Sequence, residues 1–373
     1  MTELTLFLCG DVMLGRGVDQ IMPSPSSPQL FEPHVSSAMT YLRLAEKVHG
    51  PIPREVVPDY VWGDALAVLT EQAPAARIVN LETAITTGDH HWPKGINYRM
   101  HPDNVACLTA ANIDCCVLAN NHVLDWGREG LLDTLDALHS AGVGTAGAGR
   151  DASEAAAPAV VHVGGGTQVL VFGLASASSG VPKDWAARAA VAGVNLLPDL
   201  SEETAHTLAK SAQVLRQKRD LLIASIHWGE NWGYGLPPEQ RRFAHALIDG
   251  GFDLVHGHSS HHPKGVEIYR HKLVVYGCGD FINDYEGISG HEAYRGDLAV
   301  MYLPCVNVET GCLRCLRMIP MQIRQFRLNR PSPHDAAWLC RTLANESAAL
   351  GARFDIQEDG SFEIREGGTS ACI

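Results

Sequence analysis

The sequence of 373 residues predicts a layered α/β fold. Two patterns carry that expectation: short apolar or β-branched runs of strand length, and stretches between them whose apolar residues recur at three- and four-residue spacing. Strands alternating with such helices pack as sheets covered by helices. In chain order, strands are expected at Leu4–Cys9, Arg77–Asn80, Cys115–Ala119, Ala159–Val163, Gln168–Leu174, Leu221–His227, Leu254–His256, Lys272–Tyr276 and Leu298–Leu303. Helices are expected at Tyr60–Gln72, Pro102–Ala111, Gly127–Ala141, Ser201–Lys218 and Pro238–Gly250. The Pro- and Ser-rich stretch Pro23–Pro58 reads as a surface excursion that helps cover a site. The tail reads as a helix Ala336–Leu350 and a strand Phe362–Arg365, so a main domain over 1–330 is expected to carry 331–373 as a packed extension.

Composition narrows the partners. A chain that is 46% hydrophobic and 19% charged can bury a large core. Its 42 acidic against 29 basic residues leave a net charge of −13, which opposes binding to nucleic acid. Membrane insertion would need about 18 consecutive apolar residues, and runs such as Val169–Ala175 and Leu221–Ile226 are far shorter. The opening Met1-Thr2-Glu3-Leu4 has no basic n-region, so a cytoplasmic location is expected. The ten cysteines, at 9, 107, 115, 116, 278, 305, 312, 315, 340 and 372, are expected to be buried free thiols. Cys312-x-x-Cys315 has redox or zinc spacing but no second ligand pair nearby, and it reads as structural.

Chemistry concentrates in the loops that follow the strands. Asp11, Asn80 and Glu82, Asn121 and His122, His227, and the run His256-Gly257-His258-Ser259-Ser260-His261-His262 all fall there. Ligand sites of α/β sheets lie outside the carboxyl ends of strands. One histidine alone is usually an ordinary hydrogen-bonded residue. Five strand-end loops rich in oxygen and imidazole donors point instead to a divalent cation.

The segments Gly10-Asp11-Val12-Met13-Leu14-Gly15-Arg16, Val79-Asn80-Leu81-Glu82, Leu118–Gly127, His227-Trp228-Gly229 and Gly257–His261 resemble the successive motifs of the capsule-synthesis (CapA-like) family. That family is a branch of the calcineurin-like metallophosphoesterases. The resemblance covers about residues 4 to 330. It implies a four-layer α-β-β-α sandwich with one or two divalent ions (Mn, Zn, Fe, Ca or Mg) at the strand ends. By the resemblance, Asp11, Glu82, Asn121, His227, His258 and His261 are the metal ligands, with Ser259 the alternative within the last loop. His122 matches the protonating histidine, and Asp125 its orienting partner. Two positions depart from the pattern: Met13 stands where a second ligand is usual, and Glu82 stands in place of Asp. One metal position is therefore expected to be weaker or absent.

Further residues bear on the site. Asp280 and Asp284, after the strand ending at Tyr276, read either as turn carboxylates or as part of the same rim. His291 lies in the next loop and is a candidate for proton transfer. Trp92, Trp126, Trp228 and Trp232 fall beside these loops, and Arg16, Lys94 and Arg99 are available to hold an anion. The favoured expectation is a metal-dependent acid/base enzyme of ribosomal (lasso) peptide maturation. It would epimerise the Cα of a C-terminal residue, with His122 and His291 on opposite faces. The alternatives are synthesis, export or hydrolysis of poly-γ-glutamate, phosphoester hydrolysis, and a metal-binding scaffold without catalysis. A peptide or amino-acid polymer is the expected substrate.

Overall fold

The computed structural model describes residues 2–365. Two sheets pack face to face. The larger runs Leu313–Ile323, Leu298–Asn307, Glu3–Val12, Ala76–Leu81, Cys115–Val117 and Gly144–Ala146 in spatial order. The smaller runs Val266–Tyr269, Lys272–Val275, Leu254–His258, Leu221–His227, Gln168–Ala175 and Ala159–His162. Both are parallel at their centres, so the carboxyl ends of four neighbouring strands in each sheet point the same way.

Alternation along the first strand shows how the layers form. Leu4, Leu6 and Leu8 face the second sheet, together with Val169, Val171 and Ile223. Phe7 and Cys9 face outward, into the helices Ala65–Gln72 and Gly127–Ser140 through Leu69, Leu131 and Leu135. The second sheet is covered likewise by Glu202–Leu215 and Pro238–Asp249, through Ala205, Ala209, Phe243 and Leu247. This is the four-layer α-β-β-α sandwich. Each strand must satisfy two apolar faces, which is why strands such as Leu221–His227 read as nearly continuous apolar runs, here interrupted by Ser225 before the terminal His227.

Several elements differ from expectation. Pro23–Pro58 contains a helix, Met39–His49, which buries Tyr41, Leu42 and Ala45; the prolines on either side hide its short apolar stripe. Tyr60–Gln72 is divided into a 3-10 turn Tyr60–Trp62 and a helix Ala65–Gln72, because Gly63 takes φ +44° between them. The strand Leu313–Ile323 has no counterpart in the sequence reading: Arg314, Arg317 and Pro320 interrupt its alternation. Phe362–Arg365 pairs with that strand, and the helix Pro333–Ala348 contacts it and Val266–Tyr269. Among the described residues, eight cysteines are free thiols and six of these are buried. Cys312 departs from expectation in being disulfide-bonded. Cys372 lies outside the described residues. No helix among them is long and apolar enough to cross a membrane.

Candidate metal centre

Strand register sets the first part of the site. At the end of Glu3–Val12, Asp11 is flanked by Asn80 on one neighbouring strand and Asp280 on the other. Asn80 Nδ2 donates to Asp11 Oδ1 at 2.7 Å, and Asn120 Nδ2 donates to Asn80 Oδ1 at 3.1 Å. Asn283 Nδ2 fixes Asp280 Oδ2 at 2.7 Å. Gly10 is required here, because a Cβ would meet the Gly279 carbonyl oxygen at 1.7 Å. Glu82 follows the next strand, its amide donating to the Val12 carbonyl at 3.0 Å.

The second sheet brings the imidazoles. His227 Nε2 lies 3.0 Å from Asn121 Oδ1 and 3.8 Å from Glu82 Oε1. His227 Nδ1 and His258 Nδ1 are 2.8 Å apart, and His258 Nδ1 is 4.0 Å from Asp11 Oδ1. His261 Nδ1 reaches Asp280 Oδ1 at 2.9 Å. Ser259, with φ +101°, turns away to donate to the Gly229 carbonyl at 3.3 Å. That reversal lets His258 and His261 both face the cluster. Two sets of donor atoms are close enough to share an ion: Asp11, His227 and His258, and Asp11, His261 and Asp280.

A chain of hydrogen bonds selects the tautomer of His258. The Cys9 carbonyl can only accept, so His256 Nε2 donates to it at 2.8 Å. Burial holds His256 neutral at ordinary pH, with its pKa down to about 4. Its Nδ1 therefore accepts from the Ser225 hydroxyl at 2.9 Å, and Ser225 Oγ accepts from His258 Nε2 at 3.1 Å. The lone pair of His258 Nδ1 is left facing Asp11 and His227. Ligating histidines are commonly oriented in this way through their second nitrogen.

Electrostatics agree with cation capture. Burial, and then Asp280, raise Asp11 to about 7, and burial followed by Asp11 and Asp280 raises Glu82 well above the carboxylate range. Burial depresses His227 and His258 strongly, keeping both imidazoles neutral, the form that binds metal. Burial also opposes charge on His261, but the Asp280 carboxylate outweighs it and raises the pKa. Asp11 Oδ2 is buried with no hydrogen-bond partner. A carboxylate oxygen so placed is costly unless something positive meets it. These residues fit a divalent ion.

His122 stands beside this cluster. Its Nδ1 is 2.6 Å from Asp125 Oδ2, and its ring stacks on Tyr98 at 3.9 Å between centroids. Its Nε2 points to Glu82 Oε1 at 3.8 Å. Lys94 Nζ lies 2.6 Å from Asp125 Oδ1. Burial lowers the His122 pKa to about 4 despite Asp125. His291 is exposed and stacked on Trp232 at 4.1 Å, and Trp232 in turn lies 5.4 Å from His261 between ring centroids.

The remaining candidates divide. Asp280 joins the cluster, whereas Asp284 accepts from Arg16 and from the Gly17 amide. Arg16 is further held by Glu32 and lies 3.7 Å over Tyr41, and Arg99 covers Trp126 at 3.9 Å. Both arginines are thus engaged inside the fold. Trp228 is buried and donates to the Tyr276 carbonyl, Trp92 packs edge-on to Trp185, and Trp232 stands at the rim. Ser225 and Tyr98 had no signal in the sequence beyond a strand position and a loop.

A buried centre of carboxylates, an amide and neutral imidazoles at the strand ends of an α/β sandwich defines a class of candidate metal-dependent proteins. The model of the family described as "Bacterial capsule synthesis protein PGA_cap" matches residues 5–285, and the chain belongs to that family. It is 48% identical over 365 residues to a "Probable polyglutamine synthesis accessory protein" of Mycobacterium tuberculosis, covering 97% of this chain and 96% of that one. It is 25% identical over 286 residues to the "Capsule biosynthesis protein CapA" of Bacillus anthracis, covering 76% of this chain and 60% of that one. A solved structure titled as a novel phosphatase, of Mycoplasma pneumoniae, aligns with a TM-score of 0.49 and 13% identity, over 89% of this chain and 96% of that one.

Proposed function

We propose that this chain is a metal-dependent acid/base enzyme acting on an amino-acid polymer, in an accessory role in its synthesis. The observation that carries this reading is the orphaned Asp11 Oδ2, buried among Glu82, Asp280, His227, His258 and His261. Asp11, Glu82, Asn121, His227, His258, His261 and Asp280 would hold one or two divalent ions. Such an ion polarises a carbonyl oxygen or lowers the pKa of bound water. Asp125 holds the Nδ1 side of His122, leaving Nε2 as the atom that exchanges a proton with substrate. The Tyr98 ring keeps that imidazole in its plane. The relatives' names support the polymer class.

Epimerisation of a peptide Cα has less support. It calls for two proton-transfer groups on opposite faces of one carbon, and His291 is exposed, with its ring engaged in a stack on Trp232. The test is to load the chelated protein with Mn2+ or Zn2+ and to incubate it with poly-γ-glutamate and with candidate peptides. New amine ends that require metal are the expected result. Deuterium uptake from D2O without cleavage would favour epimerisation, and equal turnover in EDTA would overturn both.

A further inference from the structure

We propose that Cys305 and Cys315 form a thiol–disulfide exchange site, in which facing thiols on neighbouring strands close reversibly into a disulfide at the expense of a low-molecular-weight disulfide. The two residues are paired directly across Leu298–Asn307 and Leu313–Ile323. The next pair is Val306 with Leu313, so Arg314 is the extra residue of a bulge beside Cys315. Among the described residues, these are the two free cysteines that are not buried. They line an open groove of about 650 Å³ together with Thr5, Gln72, Arg317 and Glu363. On this face of the sheet Leu303 is still core, while Cys305, two residues on, is partly open to solvent. Packing alone would have buried these thiols, as it buries the other six.

The groove is remote from the metal centre. Cys305 is paired with Thr5, near the start of the strand that ends in Asp11 and Val12. Six residues of extended chain put the two sites roughly 20 Å apart. Exchange at the thiols therefore does not depend on the proposed catalytic reading.

The pair is chemically unequal. The Cys315 thiol donates to the Cys305 sulfur and draws the Cys305 pKa down to about 7, with the Thr5 hydroxyl adding to the effect. Cys315 is correspondingly raised, by Cys305 first and by Glu363 as well. Cys305 is thus the attacking thiolate and Cys315 the resolving thiol. The Cys305 thiolate attacks one sulfur of the small disulfide; that S–S bond breaks, a mixed disulfide forms on Cys305, and one thiolate leaves. Cys315 then gives its proton to solvent and attacks the Cys305 sulfur, and the second thiolate leaves. Two cysteine thiols are oxidised and one disulfide is reduced to two thiols. Directly opposed strand positions hold their Cβ atoms about 4.5–5.5 Å apart, a little wider than the about 3.5–4.5 Å of a disulfide, so only a small approach of the strands is needed.

The experiment uses the full chain and glutathione disulfide as the probe. After incubation at neutral pH, free thiols are blocked with N-ethylmaleimide and the protein is digested without reductant for mass spectrometry. A Cys305–Cys315 cross-link that dithiothreitol reverses is expected in the native protein, with glutathione trapped on Cys305 in Cys315→Ser. In Cys305→Ser, modification of Cys315 should be slower by about tenfold or more. Alkylation of native Cys305 should rise with pH and reach half its maximum at a lower pH than that of an ordinary thiol. Failure of the native protein to cross-link, or equal reaction of Cys315 with and without Cys305, would overturn the proposal.

Discussion

The two sheets contribute opposite halves of the candidate centre. The larger sheet supplies oxygen donors: Asp11 and Asp280 are neighbours in register at its end, and Glu82 and Asn121 follow its next strands. The smaller supplies nitrogen: His227 and His258 end adjacent parallel strands as directly paired residues, and His261 follows. The oxygen half alone would be a mutually repelling set of carboxylates, and the nitrogen half alone a set of neutral imidazoles. Only their junction makes a site for an ion that accepts both donor types.

That division suggests where to break the centre. The largest effect is expected from His122→Ala, which leaves the oxygen and nitrogen halves intact. Turnover should fall by about 10²–10⁴ while metal content, measured by atomic emission, is unchanged; loss of the metal would show that His122 serves the centre and not proton transfer. Asp11→Ala joins no hydrogen bond to Asn80 and removes the oxygen that both halves approach. Metal affinity by calorimetry should drop by more than about 100-fold, beyond what residues behind the ligands produce.

Smaller effects sharpen the nitrogen half. Ser225→Ala removes the acceptor for His258 Nε2, and affinity should fall by about 10-fold or more, with Ser225→Thr recovering part of it. Affinity unchanged in Ser225→Ala would mean that the hydrogen-bond chain from Cys9 does not set the tautomer. Ile223→Ala, in the core between the sheets, should cost about 2–5 kcal/mol in denaturant unfolding. His291→Asn should alter turnover on an amino-acid polymer by no more than about twofold, as expected of an exposed residue. A complete loss would return His291 to the mechanism and revive the epimerase reading.

Much of this molecule was legible from the chain alone, and the gaps have physical causes. Strands such as Leu221–His227 were readable because a parallel strand buried on both faces is a nearly continuous apolar run. Leu313–Ile323 was not, since Arg314 is exposed, Arg317 lines the groove, and Pro320, although buried, is a residue that argues against a strand interior. Met39–His49 was hidden because its buried stripe is only Tyr41, Leu42 and Ala45. Asp280 was ambiguous, because the same turn holds Asp284, which serves Arg16 instead.

By itself the sequence determined the alternation of strand and helix, and the placement of Asp11, Glu82, Asn121, His122 and His227 at strand ends, because both follow from local periodicity. Tertiary structure alone decided that Asp280 stands beside Asp11, and that Ser225 and His256 orient His258. It also decided that Cys315 faces Cys305 and not its sequence neighbour Cys312. Those outcomes depend on register between strands distant in the chain, and spacing along a single chain does not encode register.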